Sequence, residues 1–101
     1  MAASVSLVEL VRRLDQEADD QLVYVARIDG EWTPVSPTML LPFPDDILAA
    51  DLPYTVGDKD FFLDTNVMKE FLEGWRKTAA GIVATPEEAT RRLILYAVND
   101  A

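Results

Sequence analysis

The chain contains no histidine and no cysteine, and only four glycines. Without an imidazole there is no histidine general base and no ordinary zinc site. Without thiols there are no thiolate nucleophiles, Cys-ligated clusters or disulfides. The glycines, at 30, 57, 74 and 81, are too dispersed for a phosphate-cradling loop, and no Walker or dinucleotide fingerprint is present. Long apolar runs are also lacking. The longest, residues 93–98, falls far short of the roughly 20 residues a membrane span needs. The first ten residues carry Glu9 and lack the basic flank of a secretory signal. A cytosolic protein is expected, which the lack of cysteine also fits.

What is abundant is acid. Eighteen Asp and Glu face nine Lys and Arg, for a formal net charge of −9. Residues 1–60 hold twelve acids and four bases, whereas residues 61–101 hold six and five. The excess therefore belongs to the first sixty residues. Such a field repels nucleic acid and anionic membranes and steers a basic protein inward at low salt. The simplest use of it is solubility alone. With 101 residues, half of them hydrophobic, residues 1–101 read as a single globular domain able to fold without staples.

Ser6 with Glu9 forms a capping box, and Leu7, Leu10, Val11, Leu14 and Ala18 recur at helical spacing. This predicts a helix over 6–18. Residues 21–28, rich in β-branched and aromatic side chains, predict a strand. Asp29-Gly30 supplies the two positive φ angles of a type I′ turn, so residues 31–35 are expected to return as a short partner strand, limited to an edge by Pro34. Five prolines between 34 and 53 divide a further strand at 38–41 from a turn or helical piece at 45–50. Residues 54–56, closed by Gly57, are a third candidate strand, and residues 61–63 lead into the next helix.

That second helix is predicted over 65–79, capped by Asp64 or Thr65 and ended near Gly81, with Val67, Met68, Phe71, Leu72, Trp75 and Ala79 inward. A third, over 86–98, opens with Thr85 as cap, Pro86 at the first position and Glu87 and Glu88 in the first turn. Its added Ile94, Leu95 and Val98 suggest cover on more than one side. The order α-β-β-(β)-α-α defines a small α+β domain with a mostly antiparallel sheet packed against three helices. The second sheet face, or the edge at 32–35, is expected to be open.

Residues 58–64 begin like a cation-binding loop, but Phe62 stands where a third oxygen ligand belongs and Leu63 replaces the turn glycine. A polar loop ending in a cap at Asp64 is the better reading, and no metal or cofactor is expected. No carboxylate pair stands out as an acid and base couple. The basic pairs Arg12-Arg13, Arg76-Lys77 and Arg91-Arg92 have acids nearby and read as solvated faces or internal ion pairs. Trp75 has core spacing. Trp32 lacks an apolar face around it and reads equally as an exposed anchor between Asp29 and Glu31 or as a side chain folded over the sheet end.

The segment Tyr54-Thr55-Val56-Gly57, a following helix, and Thr85-Pro86-Glu87-Glu88 leading to Tyr96-Ala97-Val98-Asn99-Asp100-Ala101 resemble a family of short uncharacterised bacterial domains. In that group a last helix opens with Thr-Pro-Glu and closes with aromatics before Asn-Asp-Ala, although this chain has one tyrosine where two aromatics are usual. The resemblance implies a bacterial or phage setting, in which small acidic proteins often resemble immunity proteins. It carries over no functional residue. The resulting expectation is a non-enzymatic, immunity-protein-like inhibitor of a basic partner, such as a toxin or a nucleic-acid-processing protein. Its contact residues are expected among Asp15, Glu17, Asp19, Asp20, Asp29, Glu31 and Trp32. The alternatives are a phage-type decoy that mimics nucleic-acid phosphates, or a small ligand-binding domain or enzyme.

Overall fold

A computed structural model describes residues 5–42, 55–78 and 84–100. Helix α1, Leu7–Arg12, begins where Ser6 Oγ accepts from the Glu9 N–H at 3.3 Å. A 3-10 turn, Leu14–Gln16, continues its buried face through Leu14. The expected helix over 6–18 therefore stops early, because residues 17–21 are held by the next layer rather than by the helix. Asp20, at a φ of 60°, then reverses the chain into strand β1, Gln21–Ala26.

Three further strands complete an antiparallel sheet: β2, Thr38–Pro42; β3, Thr55–Val56; and β4, Lys59–Asp64. Their spatial order is β2-β1-β4-β3. Strand β1 is central, with Val23 opposite Leu40 on one side and Leu63 on the other. Both expected turns form. Asp29 and Gly30 have φ values of 53° and 85°, and Ile28 and Glu31 exchange backbone hydrogen bonds of 2.7 and 3.1 Å. Gly57, at a φ of 64°, opens the two-residue loop between β3 and β4, a position where glycine avoids a steric cost.

Two strand expectations are not met. Residues 31–35 do not return as a strand; pairing stops at the Ile28/Glu31 bridge. Pro34 has no N–H to donate, and the Pro34 and Ser36 carbonyls accept instead from Val8 and Leu7 at 2.8 and 2.9 Å. Those N–H groups are among the donors that the start of a helix leaves without an intrahelical acceptor. The loop thus caps α1, and the partner of β1 is the later strand β2. The second departure is residues 59–64, read as a polar loop but forming β4. Asp64 does cap the following helix, its Oδ1 accepting from Val67 N–H at 2.8 Å.

A bulge explains why the sequence pattern of β4 is obscure. Leu63 lies opposite Val23 and Phe61 opposite Tyr24, so Phe62 is an extra residue between them. Phe62 and Leu63 consequently both join the main core, while Phe61 meets Tyr24 edge-on at 5.7 Å. Strict alternation fails at this point.

Helix α2, Thr65–Arg76, and helix α3, Pro86–Asp100, complete the layer over Val23 and Val25. Thr85 Oγ1 accepts from Glu88 N–H at 3.2 Å at the start of α3. Helix α2 ends at Arg76, shorter than predicted: the next N–H groups, of Lys77 and Thr78, donate three residues back to the Gly74 and Trp75 carbonyls, a tighter turn than the helix; Ala79, Gly81 and residues 45–50 lie outside the described residues. The core joins Leu7, Leu10, Val11 and Leu14 to Met68, Leu72, Ala89, Leu93 and Ala97. Each large aliphatic side chain enclosed there contributes about 1.5–3 kcal/mol.

Of the two places expected to be open, the second face is closed along β1, whereas Val35 in the 32–35 segment is exposed. Leu22, Tyr24 and Ala26 are buried as well as Val23 and Val25. Among the described residues, no helix is long and apolar enough to cross a membrane.

Candidate functional site

Strand β1 separates the acids singled out in the sequence. Asp15, Glu17, Asp19 and Asp20 precede it, whereas Asp29, Glu31 and Trp32 follow it. Six residues of strand place the groups roughly 17 Å apart, so they do not form one cluster.

The first group is tied into the fold. Lys69 Nζ donates 2.7 Å hydrogen bonds to Asp19 Oδ1 and to the Glu17 carbonyl. Asn66 Nδ2 donates to Asp20 Oδ1 at 2.6 Å, and its Oδ1 accepts from Asp20 N–H at 3.1 Å. The buried Thr65 hydroxyl donates to the Ala18 carbonyl and accepts from Gln21 N–H. Glu17 also lies 3.7 Å from Arg13. Asp15 lines a hollow with Glu73 and three cations, Lys69, Arg76 and Lys77. This end of β1 is a junction with α2: Glu17 and Asp19 have cationic partners and Asp20 an amide partner, whereas Asp15 has no ion pair among the described residues.

The second group is different. Asp29 and Glu31 are exposed, and no cation among the described residues pairs with either. Trp32, by contrast, is partly buried. Its indole Nε1 donates to the Val25 carbonyl at 3.0 Å and its ring meets Phe62 edge-on, with centroids 4.9 Å apart. Arg27 lies over the ring, 4.1 Å from its centroid, and is anchored to Asp60 by a 2.8 Å ion pair. The aromatic therefore folds over the sheet end, which was one of its two sequence readings. One edge of it still lines the surface.

That surface is a groove of about 280 Å³ between residues 31–34 and the C-terminal half of α3, lined by Glu31, Trp32, Pro34, Arg91, Leu95 and Val98 among others. Leu95 and Val98 are 49% and 53% exposed. They are not covered on a second side, as their sequence pattern suggested. Val35, next to Pro34, is 67% exposed. Among the described residues lining the groove the one cation is Arg91, already 3.0 Å from Glu87. The groove thus combines an apolar floor with a negative margin.

The carboxylates of 58–64 do not converge on a common point. Asp58 pairs with Lys59, Asp60 with Arg27, and Asp64 caps α2. The hydrogen bond from Lys59, followed by its positive charge, lowers the Asp58 pKa below the usual carboxylate range. Burial raises the Tyr24 phenol above its ordinary value; neither group lines the groove. Four cations of the basic pairs have internal partners: Arg12 with Glu9, Arg13 with Glu17, Lys77 with Glu73 and Arg91 with Glu87.

No protein family, curated protein or solved structure matches the chain. The site is consequently defined by its own chemistry. Sequence reasoning found Asp29, Glu31 and Trp32 because they are contiguous. It missed Leu95 and Val98 as their neighbours. Their presence on a helix with an already sufficient inner face was the available signal.

Proposed function

We propose that this chain is a non-enzymatic, acidic protein-binding domain that inhibits a basic partner, in the manner of a toxin-immunity protein acting in the cytoplasm. The observation that carries this reading is the state of Asp29 and Glu31, two exposed carboxylates with no ion-pair partner among the described residues, set beside exposed apolar side chains. Seven of the nine Lys and Arg side chains lie within 4.0 Å of a carboxylate of the same chain. The internal pairs satisfy local charge and leave the excess at positions such as these. An acidic rim around an apolar centre steers a cationic surface and then excludes water from it.

The decoy alternative calls for carboxylates in extended rows, and the ties of Asp19 and Asp20 to α2 weigh against using them that way. A ligand-binding or enzymatic role has less support, because among the described residues no group of carboxylates is placed to hold a metal ion.

The test is capture of basic proteins by tagged protein at low and moderate salt, with Asp29→Asn/Glu31→Gln alongside. The expected result is a partner whose capture weakens with salt and is lost in the variant. Salt-insensitive capture, or full capture by the variant, would overturn the reading.

A further inference from the structure

We infer that the groove beside Trp32 receives an amphipathic helix of the basic partner, with one or two aliphatic side chains entering between Pro34 and Leu95–Val98 and Lys or Arg beside Glu31 and Asp29. This rests on the protein-binding reading above and assigns it a surface and a recognition mode.

Charge selects the occupant. Glu31 lies in the groove wall and Asp29 two residues away, neither paired with a cation among the described residues, while Arg91 is held by Glu87. The margin is therefore negative, and a cationic segment complements it. A second copy of this chain would bring another net charge of −9 to the same place and is disfavoured by repulsion.

Backbone chemistry selects the mode. A strand added along residues 31–36 would require free N–H and C=O groups. Glu31 N–H donates to Ile28, Thr33 N–H to Ser36 Oγ and Ser36 N–H to the Thr33 carbonyl. The Pro34 and Ser36 carbonyls accept from α1, and Pro34 has no N–H. With these groups engaged strand addition is disfavoured, and recognition by side chains, as in a helix laid into a groove, fits this surface better. From Arg91 to Val98, α3 extends about 10 Å, or about two helical turns, long enough to accommodate two side chains one turn apart.

The indole is pre-positioned for this contact. Its N–H is held by the Val25 carbonyl and its ring is fixed between Phe62 and Arg27, so little side-chain freedom remains to be lost on binding.

The test titrates isotope-labelled protein with an amphipathic Leu/Lys helical peptide and with a Leu/Glu peptide of equal length, followed by NMR. The Leu/Lys peptide is expected to shift Glu31, the Trp32 indole, Ile94, Leu95 and Val98, and the Leu/Glu peptide is expected to leave them unmoved. Leu95→Ser, with an unchanged urea midpoint, is expected to weaken binding about tenfold. Shifts centred on Asp15 and Asp19 would overturn the groove assignment while leaving recognition of a basic partner standing. Equal binding of the Leu/Glu peptide, or unchanged affinity in Leu95→Ser, would overturn the proposed occupant. Failure of both peptides to bind anywhere would count against the groove and the acidic binding reading together.

Discussion

The two ends of β1 carry similar acids in opposite circumstances. Before the strand, Asp19 and Asp20 reach Lys69 and Asn66 of α2, and the backbone of Ala18 and Gln21 is fixed by Thr65. After it, Asp29 and Glu31 stand on a tight turn with no cation among the described residues paired to them and an apolar groove alongside. A carboxylate near a fixed donor serves the fold, whereas one left without a donor adds to the field seen by a partner. Net charge alone hides this division.

Altering Trp32 tests the boundary between structure and surface most severely. Trp32→Ala removes the ring from Phe62 and Arg27 and leaves the Val25 carbonyl without its donor. A loss of about 3 kcal/mol is expected, measured as a lower urea midpoint with an unchanged slope. An unaltered midpoint would return Trp32 to the role of an exposed anchor. Next in size is Thr65→Val, which strips two hydrogen bonds from a fully buried position at the α2 junction. About 2 kcal/mol should be lost. Lys69→Met removes a donor from both Asp19 and the Glu17 carbonyl, and about 1 kcal/mol is expected by the same assay. At the other end, Asp29→Asn/Glu31→Gln should change stability by no more than about 0.5 kcal/mol. A large loss there would erase the contrast between the two ends.

The parts legible in the sequence are those decided locally. Ser6, Asp64 and Thr85 mark helix starts because a cap joins a side chain to an N–H three residues on. Asp29-Gly30 marks its turn because positive φ is a property of those two residues. The α+β class and element order followed from such signals. Strand β4 escaped notice because its flanks, Lys59-Asp60 and Asp64, look like solvent-facing loop, and because the Phe62 bulge breaks the period of two. The missing strand at 31–35 has a similar origin. Its carbonyls are claimed by the α1 N-terminus, a partner distant in sequence.

The candidate site was half legible. Asp29, Glu31 and Trp32 are neighbours in sequence, but the opposite wall comes from α3, some sixty residues away, and only the fold brings it there. The acids at 15–20 looked equivalent to those at 29–31 because composition carries no information about Lys69, which reaches Asp19 and the Glu17 carbonyl, or about Asn66, which holds Asp20.

The most direct measurement compares two variants of equal net charge, Asp15→Asn/Asp19→Asn and Asp29→Asn/Glu31→Gln, by calorimetric titration with the Leu/Lys peptide. Because both lose two carboxylates, any effect of overall charge is the same. The account predicts about a tenfold loss of affinity for Asp29→Asn/Glu31→Gln and less than about a twofold change for the other. Equal losses in the two variants would show that the peptide senses only total charge and would contradict a localised binding surface.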